Sequence, residues 1–336
     1  MKNGRGINFT ENALKINFFT KIVRQIVELS DFIRSWRAAA RFVRHLGAEA
    51  WLCRLFHERN QSVVESLTRI ETSLKSHHLQ RQVRITLLLP PGYYQQGAFY
   101  PLLYLNDGQD LTTLHLEQTL ARLFHAQQVP PFVVVALHAN QDRKMEYGTA
   151  ARPDFAGRGA KAYLHTRFVL EEVRPFVLDR YRIHPSATHH FFAGFSLGGL
   201  SALDIVWHHP DQFSRVGVFS GALWWRSIDV GKGYNEATDR IMHALIREGT
   251  FSPELKFWFQ TGTEDETNDR NNNGIIDSIE DTLDLITELK NKGYVMNRDI
   301  AYLEVQGGKH DQDTWSRALP EFLSWLFGNQ SQSYSR

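Results

Sequence analysis

The sequence predicts an α/β protein: a mostly parallel central sheet with helices on both faces, preceded by a helical extension. Three observations carry this expectation. Short, continuous apolar runs recur at 102–105, 132–137, 191–193, 215–219, 255–260 and 300–305, the pattern of strands buried on both faces. Segments with helical periodicity separate them, at 114–125, 160–181, 199–208, 237–248, 278–292 and 315–327, and such alternation marks a doubly wound sheet. Ahead of these, 63–70 and 82–89 read as antiparallel strands, joined by the polar stretch 75–80 and closed by Pro90-Pro91-Gly92-Tyr93.

The 336 residues suit one large domain, expected at 61–328, with an accessory segment at 1–60 and a polar, disordered tail at 329–336. The first sixty residues hold eleven Lys and Arg against five Asp and Glu, a charge of +6; a total of +1 leaves about −5 for the rest. Phe19, Ile22, Ile26, Leu29, Ile33, Trp36, Ala40 and Val43 recur in steps of three and four, with Arg24, Arg34, Arg37, Arg41 and Arg44 elsewhere on the wheel. That is an amphipathic helix, stopped by Gly47 and followed by a shorter one at 48–59. Three uses are open to its apolar stripe: packing onto the body of the protein, homodimerisation, or peripheral attachment to an anionic membrane surface.

A near-neutral chain has no global field to recruit nucleic acid. The lone cysteine, Cys53, excludes an internal disulfide and a Cys-based zinc site. The first twenty residues contain no apolar run of the signal-peptide kind, and no stretch reaches the roughly 20 apolar residues of a membrane-spanning helix. The expectation is a cytoplasmic protein.

Chemistry enters at Gly194-Phe195-Ser196-Leu197-Gly198, a Gly-x-Ser-x-Gly set between an expected strand and an apolar helix. A strand that turns straight into a helix puts the serine in a strained conformation and crowds its neighbours, so Gly194 and Gly198 admit the turn and Gly199 eases the helix against the sheet. This is the nucleophile elbow of the α/β-hydrolase fold. The helix start aims free N–H groups at the same point, which makes Leu197 N–H one oxyanion donor. The loop after strand 102–105, Asn106-Asp107-Gly108-Gln109-Asp110, offers the second through Gly108 or Gln109.

A serine hydroxyl needs a base, and in this fold the partners follow in the order serine, acid, histidine. His310, in Gln306-Gly307-Gly308-Lys309-His310-Asp311, lies after the last expected strand, where a flexible glycine loop would carry the imidazole over the strand edge. The pairs His77-His78, His189-His190 and His208-His209 lack acid partners at metal-like spacing. The acid belongs after strand 255–260. Asp265 is the choice there, with Glu264 and Asp269 as rivals, since spacing does not say which side chain turns to the imidazole.

Residues 269–280 match the twelve-residue EF-hand loop. Asp269, Asn271, Asn273 and Asp277 fall at positions one, three, five and nine, the main chain of Ile275 at seven, and Glu280 at twelve, with Gly274 at the sharp turn. An all-oxygen set suits Ca2+, expected here as a structural ion that fixes the loop of the acid. No organic cofactor is expected.

These residues resemble an esterase family of α/β-hydrolases that includes enterochelin esterase, feruloyl and acetylxylan esterases, S-formylglutathione hydrolase and the mycolyltransferases. The resemblance runs over 67–327, through Leu88-Leu89-Pro90-Pro91-Gly92-Tyr93, Tyr100-Pro101-Leu102-Leu103-Tyr104 leading to Asp107-Gly108-Gln109, the elbow, and Gly307-Gly308-Lys309-His310 followed by Trp315. The Asp107-Gly108-Gln109 form is nearest the enterochelin esterase branch. It implies a Ser196–Asp265–His310 triad acting on a small-molecule ester, with Arg143, Glu146, Tyr147, Trp224 and Trp225 bordering the pocket. The first sixty residues depart from the family pattern, and the calcium loop is an addition to it. The expected activity is a serine carboxylesterase working through an acyl-enzyme; the alternatives are an acyltransferase with the same triad and a non-catalytic, calcium-stabilised binding protein.

Overall fold

A computed structural model describes residues 66–95 and 97–327. The helical extension expected at 1–60 and the tail at 329–336 lie outside the described residues. Among those described, eight strands form one sheet: β1 (Thr68–Ser76), β2 (Arg81–Leu89), β3 (Leu102–Asn106), β4 (Val133–Leu137), β5 (His190–Phe195), β6 (Arg215–Phe219), β7 (Lys256–Glu264) and β8 (Ile300–Lys309). Their order is β1-β2-β4-β3-β5-β6-β7-β8. β1 and β2 pair antiparallel, β2 meets β4 antiparallel, and every later neighbour is parallel.

Parallel strands need helical crossovers, and these sort the core onto two faces. One face carries α3 (Ala162–Arg167) and α4 (Arg174–Arg180), joined by the π-helical turn Phe168–Val173, with α5 (Leu197–His208), α6 (Ile241–Glu248) and α7 (Asp277–Lys292). The other face carries α1 (Leu116–His125) and α8 (Gln312–Leu326). The split follows the two-residue period of a strand: Leu102 and Tyr104 join the first cluster, Leu103 and Leu105 the second. A π-turn suits the join ahead of Pro175, a residue with no N–H to give the helix ladder.

Three expectations shift. β1 runs to Ser76, so the first part of the polar stretch read as a connector is strand. It is an edge strand whose alternate side chains meet water, and polarity there does not signal a turn. The chain reverses at residues 77–80, where Ser76 Oγ accepts from Leu79 N–H (2.9 Å) and Gln80 takes φ 54°. Gly307, Gly308 and Lys309 are the end of β8 and not a loop, because Gly262 and Gly308 let β7 and β8 touch backbone to backbone; a Cβ on Gly262 would lie 2.2 Å from the Gly308 carbonyl oxygen. The 160–181 helix is α3, the π-turn and α4 in succession. Among the described residues, no helix is long and apolar enough to cross a membrane.

Candidate active site

β5 delivers Phe195, and the chain turns at Ser196 (φ 54°, ψ −122°) into α5. This backbone state costs on the order of 1–3 kcal/mol and persists only where its surroundings enforce it. Here Ser196 N–H donates to the Phe219 carbonyl (2.9 Å), and the Ser196 carbonyl accepts from Gly199, Leu200 and Ala222 N–H (3.0, 3.1 and 3.1 Å). The glycines are required by close approach: a Cβ on Gly194 would lie 2.3 Å from the Gly198 oxygen, and one on Gly198 would lie 2.6 Å from Asp107 Oδ2. Leu197 is the first residue of α5, where helix geometry leaves the N–H without an intrahelical partner.

β3 lies beside β5, so its carboxyl end brings residues 106–110 next to the elbow. Asn106 Nδ2 donates to the Gly198 carbonyl (2.9 Å), tying the loop to the first turn of α5. Asp107, 1% exposed, takes a left-handed conformation (φ 63°) and caps the turn Gly108–Asp110. Its main-chain N–H donates to Tyr147 Oη (3.2 Å), and Gln109 is held by Nε2 donation to Asp107 Oδ1 (2.9 Å) and by accepting from Ala139 N–H (3.0 Å). Gly108 is buried against His138, with 2.8 Å between its would-be Cβ and the imidazole Cδ2. The two expected donor segments therefore lie side by side at the carboxyl ends of neighbouring strands.

Of the three candidate acids, Glu264 is exposed at the end of β7, and both carboxylate oxygens of Asp269 accept from its own loop (Asn273 N–H 3.1 Å, Gly274 N–H 2.8 Å). Asp265, 8% exposed, accepts Gly262 N–H (3.0 Å) on Oδ2 and Ser220 Oγ–H (3.0 Å) on Oδ1. Burial raises its pKa above the ordinary carboxylate value, against the two hydrogen bonds and the charge of His310. His310 follows β8 and packs edge-on against Trp315, ring centres 5.3 Å apart. Trp315 in turn stacks on Phe195, the residue before Ser196, at 5.1 Å. Three strand spacings, roughly 14 Å, separate the ends of β5 and β8, and this aromatic bridge spans them. Desolvation lowers the His310 pKa below its usual value, Arg143 adds to that, and Asp265 and Asp311 oppose it.

Two positioning groups were not read from the sequence. Ser220, buried at φ 42° after β6, accepts Trp315 Nε1–H (2.9 Å) and donates its own O–H to Asp265, so one hydroxyl links the acid to the aromatic bridge. A serine ending a parallel strand carries no motif that would reveal it. Asp107 is the other: it was read as part of a donor loop, but its carboxylate is gripped by Arg143, whose Nε and Nη2 donate to Oδ1 and Oδ2 (both 2.7 Å).

The residues expected at the pocket border divide. Arg143, in α2 (Arg143–Glu146), and Tyr147 reach Asp107 in the loop after β3 as just described. Glu146 is 1% exposed and held by Arg81 Nε and Nη2 (2.8 and 2.6 Å). Trp225 is wholly buried, seated on Gly148 and Gly159 where any Cβ would lie 2.7 and 2.8 Å from its ring. Trp224 lines an open cleft of about 550 Å³, with Phe155, Arg158, Arg226, Glu266 and Arg270. Glu266 adjoins Asp265, so the cleft opens beside the acid loop.

In residues 269–280, positions three, five and twelve converge: Asn271 Nδ2 lies 2.8 and 3.0 Å from the Glu280 oxygens, and Asn273 Nδ2 lies 2.6 Å from Oε1. Gly274 makes the turn at φ 86°. Asp277 is engaged by Arg270, through its N–H (2.9 Å) and guanidinium (3.3 Å). Among the described residues, no group of three or more His, Cys, Asp or Glu side chains is spaced to hold a metal ion. The oxygen-rich side chains fit a hard cation in kind, and Arg270 is the cation already among them.

The family described as “Putative esterase” matches residues 76–326. The chain belongs to this esterase family. Membership supports hydrolysis of an ester bond. YbbA of Bacillus subtilis is 23% identical over 256 residues, covering 75% of this chain and 96% of the relative. The iron(III) enterobactin esterase of Escherichia coli is 31% identical over 126 residues, 37% of this chain and 29% of that protein. The diacylglycerol acyltransferase/mycolyltransferase Ag85A of Mycobacterium leprae is 28% identical over 131 residues, 38% of each. Among solved structures, enterochelin esterase from Shigella flexneri aligns with TM-score 0.62 and 23% identity over 77% of this chain and 58% of that one. A ferulic acid esterase aligns at 0.58 and 17% over 78% and 98%. These likenesses show the α/β-hydrolase-like fold: a mostly parallel sheet flanked by helices.

Proposed function

We propose that this esterase is a serine hydrolase that cleaves carboxylic esters through an acyl-enzyme. The observation that carries the reading is Ser196, strained at a strand-to-helix turn, at the same end of the sheet as the interacting pair Asp265 and His310. Ser196 Oγ attacks the ester carbonyl while His310 takes its proton. The oxyanion develops against Leu197 N–H and the N–H of Gly108 or Gln109, each such donor being worth about 3–4 kcal/mol of barrier. His310 returns the proton to the leaving alcohol, and water repeats the cycle on the acyl-enzyme. Asp265 holds the imidazole orientation and stabilises its charged form without taking up the proton.

The mycolyltransferase likeness favours a second reading, in which an alcohol and not water receives the acyl group. Both use the same acyl-enzyme. Turnover of p-nitrophenyl esters with and without added alcohol separates them: hydrolysis predicts free acid at an undiminished share, transfer predicts a new ester that grows with alcohol concentration. A non-catalytic binding protein would give neither product above the uncatalysed rate.

We also propose that residues 269–280 bind a structural Ca2+ through Asp269, Asn271, Asn273, the Ile275 carbonyl, Asp277 and Glu280. The spacing of oxygen side chains over these twelve residues supports this, and the Asn271 and Asn273 amides, whose nitrogens face Glu280 while their oxygens accept loop N–H groups, would have to turn. Binding would also require Asp277 and Glu280 to release Arg270. A calcium-dependent rise in melting temperature is expected; an identical melting temperature in calcium and in chelator, with no metal in the purified protein, contradicts it.

A further inference from the structure

We propose that Arg143 is a positioning residue that locks the oxyanion loop onto the nucleophile elbow, its guanidinium clamping the Asp107 carboxylate and the Phe195 carbonyl together. This rests on the reading of Ser196 as nucleophile and extends it to the group that keeps the donors aimed.

The geometry leaves Asp107 little freedom. Its backbone is left-handed, its N–H is used by Tyr147 Oη, and its carboxylate sits where a Cβ on Gly198 would be 2.6 Å away. A buried carboxylate at that place is a hazard, because it lies one residue from Gly108 and beside the first turn of α5, where negative charge must develop. A cation is needed to neutralise it. Arg143 supplies the charge in a planar fork, both arms at 2.7 Å, and its Nη2 also reaches the carbonyl of Phe195 at 3.2 Å. Three parts of the site, the β3 loop, the end of β5 and α2, thus meet on one side chain. A lysine brings the charge but a single ammonium cannot hold all three oxygens in this geometry.

The same charge acts on the base. His310 faces Asp265 from the loop after β7, Asp311 beside it and Arg143 across the site; the two carboxylates raise its pKa, and Arg143, with burial, lowers it. Asp110, on the donor loop, feels both Asp107 and Arg143. Removing Arg143 therefore loosens the donors and moves the titration of His310 upward in one step.

The test measures kcat and KM on an uncharged p-nitrophenyl ester from about pH 5 to 9 for the wild type, Arg143→Ala, Arg143→Lys and Arg143→Ala with Asp107→Asn, beside Ser196→Ala. Arg143→Ala is expected to lose about 100-fold in kcat, with KM within about threefold, as for a group that acts only in the transition state. Its acid limb should move to higher pH, and that of Arg143→Lys should not. Adding Asp107→Asn should recover at least about threefold of the lost kcat, since it removes the uncompensated buried charge. A rise in KM with kcat unchanged makes Arg143 a substrate contact and overturns the proposal. So does an unmoved acid limb together with no recovery by Asp107→Asn. Should Arg143→Ala fail to fold, Arg143→Lys decides: about tenfold lower kcat at unchanged KM supports the clamp, and wild-type kcat overturns it. Wild-type turnover by Ser196→Ala would defeat the nucleophile assignment, whereas failure of the Arg143 predictions with Ser196→Ala inactive defeats the clamp alone.

Discussion

The two halves of the candidate site are held in different ways. On the nucleophile side, β3 and β5 are adjacent central strands, and residues 106–109 are tied down by buried or half-buried partners: Gly198, Tyr147, Arg143 and Ala139. On the acid–base side, His310 and Asp265 leave the last two strands of the sheet, and the ties run through Ser220, Gly262 and Trp315. The first arrangement would fix where charge develops under the proposed mechanism. The second steadies the proposed proton carrier by aromatic contact and one buried carboxylate. Preorganisation of donors is often the largest contribution to catalysis, while a base must exchange its partner within the cycle.

The largest expected effect breaks the comparison at its centre. Ser196→Ala should lower kcat by at least about 10⁴-fold with the fold intact, as measured by ester hydrolysis and circular dichroism. Next, Asp265→Asn should cost about 10²–10⁴-fold in kcat, because a neutral amide no longer stabilises the imidazolium; Glu264→Gln should change kcat by less than about twofold. Equal losses in the two variants would remove the assignment of the acid. Ser220→Ala sharpens the contrast: with Asp265 Oδ1 and Trp315 Nε1 losing their shared partner, a loss of about tenfold in kcat and about 1–2 kcal/mol of stability is expected by kinetics and urea unfolding.

The pH profile carries a smaller effect with a definite sign. His310 must be neutral to accept a proton, and its pKa lies below the ordinary value, so kcat/KM should fall only as pH drops below about 6.5. An acid limb above that value contradicts the burial and Arg143 effects. Elsewhere, His165 and His138 are buried neutral with pKa pushed down to about 3 and about 4. In the unfolded chain both would titrate near 6.5. Stability should therefore decline as pH falls below about 6.5, by up to about 1.4 kcal/mol per pH unit for each, read by urea unfolding at pH 7 and pH 5.

What could be read from the sequence follows the same division. The central strands were legible, because burial on both faces writes a continuous apolar run; β6 falls on the expected 215–219. The elbow was legible because close packing demands Gly194 and Gly198 around Ser196. The edges were not: β1 is half-solvated, so its polar residues resembled a connector, and the glycines ending β8 marked a close strand contact instead of a loop. Among acids, the sequence put Asp265 ahead of Glu264 and Asp269 without saying which side chain turns to the imidazole, and burial and bonding distinguish them. The roles of Ser220, Asp107 and Arg143 lie in tertiary pairings between residues far apart in the chain, which no local pattern encodes.

The central claim is that a hydroxyl on the elbow is activated by the imidazole after β8. Labelling with a fluorophosphonate, followed by mass spectrometry of the modified peptide, addresses it directly. The account predicts a single adduct on Ser196, lost in Ser196→Ala and slowed by at least about 100-fold in His310→Ala. An adduct on another residue, or labelling of Ser196 at an unchanged rate without the imidazole, would contradict it.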